Sequence, residues 1–290
     1  MVLYELLTDV TFVAPVLVAA FDGWIDASGA ATAAAAQLAG KGDPVARFDD
    51  DALYDYRARR PTLDVIDGTL AELDWPELAL RSVEIGGRHV LVLTGPEPDY
   101  RWRQLGTDLM DLCLRVGVIE WTSLGAIPAA VPHTRAVPVL ATASKAGLLH
   151  ADEIQGPAGL LRVPAACLSV VELAVTGSGI PAVGFYAQVP HYVGGPYALA
   201  SIALLEHLER HLGVPMPLGE LVEQAQAQRE RLDAAVAADD DAREYLQRLE
   251  ALAGEERMPS GDELASEIER FLSETGREAG GDDGGPFEGR

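Results

Sequence analysis

Only two cysteines occur in 290 residues, Cys113 and Cys167. Neither has a second cysteine or a histidine at ligand spacing, so the sequence predicts neither a disulfide framework nor a zinc site, but small buried thiols in a reducing compartment. Aromatic residues make up 6% and methionine is rare, so leucine, valine, isoleucine and alanine must supply the core. Basic residues are scarce too: 22 Lys and Arg stand against 45 Asp and Glu, a formal charge of -23. A field of that sign repels phosphate backbones and anionic lipid, which argues against nucleic acid and membrane surfaces as partners. Long hydrophobic runs are missing. The apolar stretch nearest the start, "FVAPVLVAAF", is short, has no basic flank and contains Pro15, so neither a signal peptide nor a membrane span is expected and the protein is expected to be cytoplasmic. The phosphate-loop pattern G-x-x-x-x-G-K-[ST] and the nucleophile elbow G-x-S-x-G are also absent.

What is present is alternation. Up to about residue 213 the apolar runs "VLVAAF", "HVLVLTG", "VIEWTSLGAI", "VPVLATA" and "IPAVGFYAQV" are interleaved with helix-type segments. Near-continuous apolar strands fit a mostly parallel sheet with helices on both faces, an α/β fold. The clearest helix is "DYRWRQLGTDLMDLCLRVG", with Asp99 as its expected cap, Leu105, Leu109, Leu112 and Val116 on one face, and Gly117 as its stop. The alanine-rich "ASGAATAAAAQLAG" predicts a slender helix able to approach the sheet closely, and "PYALASIALLEHLERHLG" predicts another ending at Gly213.

After "VPMPLG" no strand-type run appears. The expected organisation is an α/β core over 1–218, a helical appendage over 219–275 with helices near 219–238, 241–254 and 260–275, and a disordered acidic, glycine-rich tail over 276–290. Residues 219–290 hold 20 of the acidic and 8 of the basic side chains, about half the acidic surplus.

Two local motifs fail their mechanisms. In "HLERH" (207–211) the glutamate lies nearly opposite the mean direction of the two histidines, so the zinc-protease geometry is not met and helix-surface histidines are expected. "GSGIPA" (177–182) follows a helix-type and precedes a strand-type segment, the reverse of a dinucleotide loop, so its glycines should end a helix.

A more informative set lies just after the strands. "AFDGWIDASG", "TGPEPDYRW", "LGAIPAAVPHTR" and "AQVPHYVGGP" place Asp22, Trp24, Asp26, Glu97, Asp99, Arg101, His133, Arg135, His191 and Tyr192 where an open α/β sheet binds ligands, beyond the carboxyl ends of its strands. These types suit acid/base work or anion capture. Each has a plainer reading. Arg101 and Arg103 oppose a helix dipole, which Glu97 and Asp99 could offset in an ion-pair loop. His133 and His191 each follow a proline that swings the chain out of the sheet, so a hydrogen-bonded turn explains both. The balance favours architecture or assembly over catalysis; no catalytic residue, metal or cofactor is assigned.

The same four segments, in order, resemble the proteasome assembly chaperone 2 family, especially its actinobacterial members, over roughly residues 15–255. The resemblance implies a three-layer α/β fold of the purine nucleoside phosphorylase type and homo-oligomers, trimers among them. It also implies binding of proteasome α subunits or other proteins, and supplies no catalytic residue. One departure is the carboxyl terminus: the chain ends "PFEGR", without the hydrophobic-tyrosine-any residue tail by which some members dock, so tail docking is not expected. The leading expectation is a self-associating protein-binding factor without enzymatic activity. The alternative is an enzyme or a nucleoside- or phosphate-binding protein using the strand-end crevice.

Overall fold

The computed structural model describes residues 2–9, 11–156 and 159–254; the helix expected at 260–275 and the tail at 276–290 lie outside the described residues. The strands are β1 (Tyr4–Leu6), β2 (Val16–Asp22), β3 (Asp43–Phe48), β4 (Thr62–Ile66), β5 (Thr69–Asp74), β6 (Ala79–Ile85), β7 (Arg88–Pro96), β8 (Glu120–Ala129), β9 (Val139–Ala143), β10 (Ile154–Gln155) and β11 (Ala182–Pro190). The helices are α1 (Ala30–Ala39), α2 (Asp50–Leu53), α3 (Trp102–Val116), α4 (Cys167–Gly177), α5 (Ala198–Leu212), α6 (Leu221–Ala238) and α7 (Asp240–Gly254).

Nine strands form one sheet in the order β1-β3-β6-β7-β2-β8-β11-β9-β10. Its centre, β7-β2-β8-β11, is parallel. Antiparallel pairing begins at β6 on one side and at β9 on the other. The central strands are apolar on both faces because both faces are covered. Val16, Val18 and Ala20 of β2 point toward α1 and α5, while Leu17, Ala19 and Phe21 point toward α3 and α4. Each fully buried leucine or valine here contributes roughly 1.5–3 kcal/mol relative to exposure. The alanines of α1 leave that helix thin, and Ala30, Ala31, Ala34 and Ala35 are buried between β2 and α5.

The helix ends follow local chemistry, with one correction. Gly40, Gly117 and Gly213 stop α1, α3 and α5 with positive φ, as glycine does without a Cβ penalty. Asp99 does not cap α3: Arg101 occupies that position in the left-handed region, φ 59°. The Asp99 carboxylate instead accepts the Asp55 N–H at 2.8 Å. "GSGIPA" does end α4, with Gly179 at φ 94°. Helices α6 and α7 pack back on the core, burying Leu221 and Ala225 of α6 and Leu249 of α7. Among the described residues no helix is long and apolar enough to cross a membrane.

β4 and β5 form a separate two-stranded sheet, closed by Asp67 and Gly68 at φ 50° and 77°. Consecutive left-handed residues are what a tight I′ hairpin turn requires. Every residue of this hairpin is exposed.

Candidate functional site

Because β7, β2, β8 and β11 run parallel, their carboxyl ends share one edge of the sheet. Asp22 pairs with Pro96, and Pro190 with Ala129. The ten side chains singled out from the sequence therefore leave the sheet on the same side, but they fall into separate groups.

The first group is built on Glu97. Its backbone N–H donates to the Asp22 carbonyl at 2.8 Å. Its carboxylate accepts the Trp24 N–H at 3.1 Å and, with the other oxygen, the Cys167 N–H at 2.6 Å. Cys167 opens α4, so the carboxylate satisfies an otherwise orphaned donor and complements that helix's positive end. A Cβ on Gly23 would stand 2.5 Å from a Glu97 carboxylate oxygen, so the bare backbone there makes room for the strut. Asp22 is exposed and meets Arg59, whose guanidinium lies 3.4 Å from the carboxylate and 3.1 Å from the Asp22 carbonyl. The ion-pair loop expected of Glu97 and Asp99 with Arg101 and Arg103 does not form: both carboxylates serve backbone N–H groups. Among the described residues both arginines are exposed without an ion pair.

Asp26 belongs to neither cluster. Ser28 and Gly29, both left-handed, bend the chain so that the buried Asp26 carboxylate reaches back to the start of α1. It accepts the Ala31 N–H at 2.6 Å and bonds the Thr32 hydroxyl and N–H. Burial raises its pKa, opposed by these hydrogen bonds.

The second group holds the histidines. His133 is fully buried. Its backbone N–H donates to the Tyr192 hydroxyl at 2.8 Å, and its Nδ1 lies 2.7 Å from the same oxygen. A phenol that accepts the N–H still has its own proton to give Nδ1, which in the neutral ring leaves Nε2–H to face Asp233 of α6 at 3.1 Å. His191 donates its backbone N–H to the Ala129 carbonyl at 3.1 Å, places Nδ1 3.2 Å from it, and lies 3.0 Å by Nε2 from the Tyr245 hydroxyl of α7. Tyr192 packs edge-on against His133, His191 and Tyr245. Thr134 adds a hydroxyl bond to Glu250 of α7, and Arg229 of α6 reaches the Thr134 carbonyl at 3.3 Å. Arg135, next along, is exposed. The His133 ring is buried with both nitrogens engaged within the protein. What this cluster does is fasten α6 and α7 over the ends of β8 and β11.

Asp233, Tyr245, Glu250 and Arg229 are the members that sequence reasoning did not reach. They lie about one hundred residues from His133 and Thr134 or some fifty from His191, and no local spacing links them. The helix-surface reading of His207 and His211 is also corrected. His207 lies 2.9 Å from Glu153, which is 7% exposed, and His211 lies 2.6 Å from Glu120. Burial lowers the His207 pKa, opposed by Glu153. Among the described residues no group of three or more potential ligands could hold a metal. Burial pushes the Cys113 thiol up to about 12 and raises Cys167 further, so both remain protonated thiols.

A cleft of about 450 Å³ opens on the α4 side of the sheet. The β2–α1 loop supplies Trp24 and Asp26, the sheet supplies Ile127, Leu140 and Tyr186, and the strap before α4 supplies Leu161 and Val163. The Tyr186 ring lies flat on the sheet because Gly125 and Gly184 beneath it have no Cβ; one on Gly125 would come within 2.5 Å of the ring. Of the ten sequence-derived residues, Trp24 and Asp26 line this cleft, and the Asp26 carboxylate is already engaged with α1.

The family model described as the PAC2 family matches residues 20–236. A solved PAC2 family protein from Streptomyces avermitilis is 37% identical, with 80% of this chain and 99% of that one covered and a TM-score of 0.71. A proteasome-assembly chaperone homologue from Mycobacterium tuberculosis is 38% identical over the same shares, with a TM-score of 0.72. A second M. tuberculosis protein, of unknown function, is 31% identical, covers 93% of this chain and 96% of its own length, and reaches a TM-score of 0.83. Among curated proteins, none matches this chain.

Proposed function

This chain belongs to the PAC2 family, and we propose that it acts by binding proteins, as a self-associating assembly factor whose candidate partners are proteasome α subunits. The observation that carries this reading is the use made of the two strand-end histidines. Each is committed to a tyrosine and to the C-terminal helices, so the most catalytic-looking residues of the sequence serve to present a surface. The mycobacterial assembly-chaperone homologue, 38% identical, supports the choice of partner. Affinity capture of α subunits by the full chain at low salt tests it. Recovery of the subunits is expected, and their complete absence from the eluate, with both proteins folded, overturns the α-subunit assignment.

The apolar cleft motivates a second reading, a small-ligand site bordered by Trp24. A ligand specific for the native state raises the melting temperature by mass action. A thermal-shift panel of nucleosides, nucleotides, phosphate and sugar phosphates is expected to be flat if protein binding is the activity. A concentration-dependent rise would favour the second reading.

A further inference from the structure

The cleft beside Trp24 combines an apolar mouth with acids that have no cation to meet. Leu140, Leu161 and Val163 line it together with the Trp24 ring, from the β2–α1 loop, and the Tyr186 ring, from β11. Its volume of about 450 Å³ falls within the range of small-molecule sites.

The register of the sheet decides where the Tyr186 hydroxyl ends. Ser123 of β8, Gly184 of β11 and Thr142 of β9 stand side by side in one row. Gly184 has no side chain, so the Tyr186 ring lies across it: a Cβ there would stand 3.0 Å from the Tyr186 hydroxyl and 2.6 Å from that of Thr142. On the other side of the row, Ser123 accepts the Trp121 indole N–H at 2.8 Å and donates its hydroxyl to Glu172 of α4 at 2.5 Å. Glu172 does not line the cleft but lies behind its floor. Burial, and next the charge of Glu172, raise the Tyr186 pKa.

A second acid, Asp26, does line the cleft and is 6% exposed. Burial raises the pKa of both Asp26 and Glu172, because a charge taken out of water is disfavoured unless a partner offsets the loss. Among the described residues those partners are backbone N–H groups and hydroxyls, and neither carboxylate has an ion pair. No basic side chain lines the cleft either; Arg162 on the strap is exposed and outside the lining.

An anion entering this space meets repulsion, and a neutral molecule gains from the apolar walls alone. A cation with an apolar body gains three times: from the walls, from the negative faces of two aromatic rings, and from two carboxylates whose field is little screened in surroundings of low dielectric. The chain's charge of -23 also draws cations toward the surface. We propose that this cleft binds a small organic ammonium ion, with the cationic head on the rings of Trp24 and Tyr186 and the apolar body against Leu161 and Val163. The proposal rests on the small-ligand reading of the cleft and supplies its ligand class.

The test is calorimetric titration of the full chain at physiological salt with three probes of one shape class: benzyltrimethylammonium, neutral benzyl alcohol and anionic benzoate. Saturable binding of the ammonium probe is expected, with benzyl alcohol weaker and benzoate silent. Trp24 is 42% exposed, so Trp24→Ala is expected to fold, as melting temperature checks, and to weaken the ammonium probe roughly tenfold, the scale of one cation–π contact. Glu172→Gln keeps an acceptor for Ser123 without the charge and should weaken the same probe about threefold, leaving benzyl alcohol unchanged. Ammonium binding unchanged in folded Trp24→Ala would put the probe elsewhere on the acidic surface and overturn the site. Benzyl alcohol binding as tightly as the ammonium probe, and lost in Trp24→Ala, would overturn the cation assignment while the small-ligand reading stands. No binding by any of the three at millimolar concentration would overturn both.

Discussion

His133 Nε2 lies 3.1 Å from Asp233 Oδ1, joining the loop after β8 to the middle of α6 across one hundred residues of chain. The histidine is fully buried and the aspartate about half exposed, so the two ends of this contact differ in cost when broken. Tyr192→Phe strips the acceptor from a buried N–H and the partner from Nδ1, and should destabilise by about 1–3 kcal/mol, the penalty for an unsatisfied buried polar group. Asp233→Ala removes a partner that water can partly replace, and about 0.5–1.5 kcal/mol is expected. Urea denaturation of both variants checks the order. A larger loss for Asp233→Ala would contradict it.

Glu97 ties three loops together through backbone groups of Asp22, Trp24 and Cys167. Glu97→Gln keeps a carbonyl acceptor but puts an NH₂ where the other N–H must be met, and removes the charge at the start of α4. A loss of roughly 1–3 kcal/mol is expected. Gly23→Ala should destabilise by a related route, because the added Cβ occupies the place of the Glu97 side chain. The two losses should therefore be less than additive in the double variant, measured by the same denaturation. Simple addition would refute the shared cause.

Asp50, at the start of α2, has its pKa raised to about 6 by burial, with the Leu78 N–H and neighbouring acids acting in opposite senses. Its unfolded value is near 3.9, so between about pH 7 and pH 4 the native state binds more of this proton than the unfolded state. Its contribution to stability therefore rises as pH falls through that window. Asp50→Asn keeps an acceptor for Leu78 without the charge. The variant should gain on wild type as pH rises from 4 to 7, in melting temperatures measured across the range. A constant difference would refute the assignment.

The central strands were legible in the sequence because helices cover both faces, which leaves continuous apolar runs such as "VLVAAF" and "IPAVGFYAQV". The antiparallel wings carry no such mark: β3 and β6 are partly exposed, and pairing direction is not written in hydropathy. The hairpin carries a local signal, Asp67-Gly68 in the stretch from Ile66 to Leu70. Residue type alone favours Asp99 as a cap, whereas its carboxylate is held by the Asp55 N–H. Strand-end placement of His133 and His191 followed from the pattern. Their partners Asp233 and Tyr245 did not, because contacts between distant segments are decided by how α6 and α7 pack.

The central claim is that the strand-end histidines hold the C-terminal helices to the core rather than perform chemistry. Hydrogen exchange comparing wild type with His133→Ala tests it most directly, since local opening reports the stability of each segment. The account predicts that amides of α6 and α7 lose protection while those of β2, β7, β8 and β11 keep theirs. Unchanged protection across α6 and α7 in a folded His133→Ala protein would contradict it.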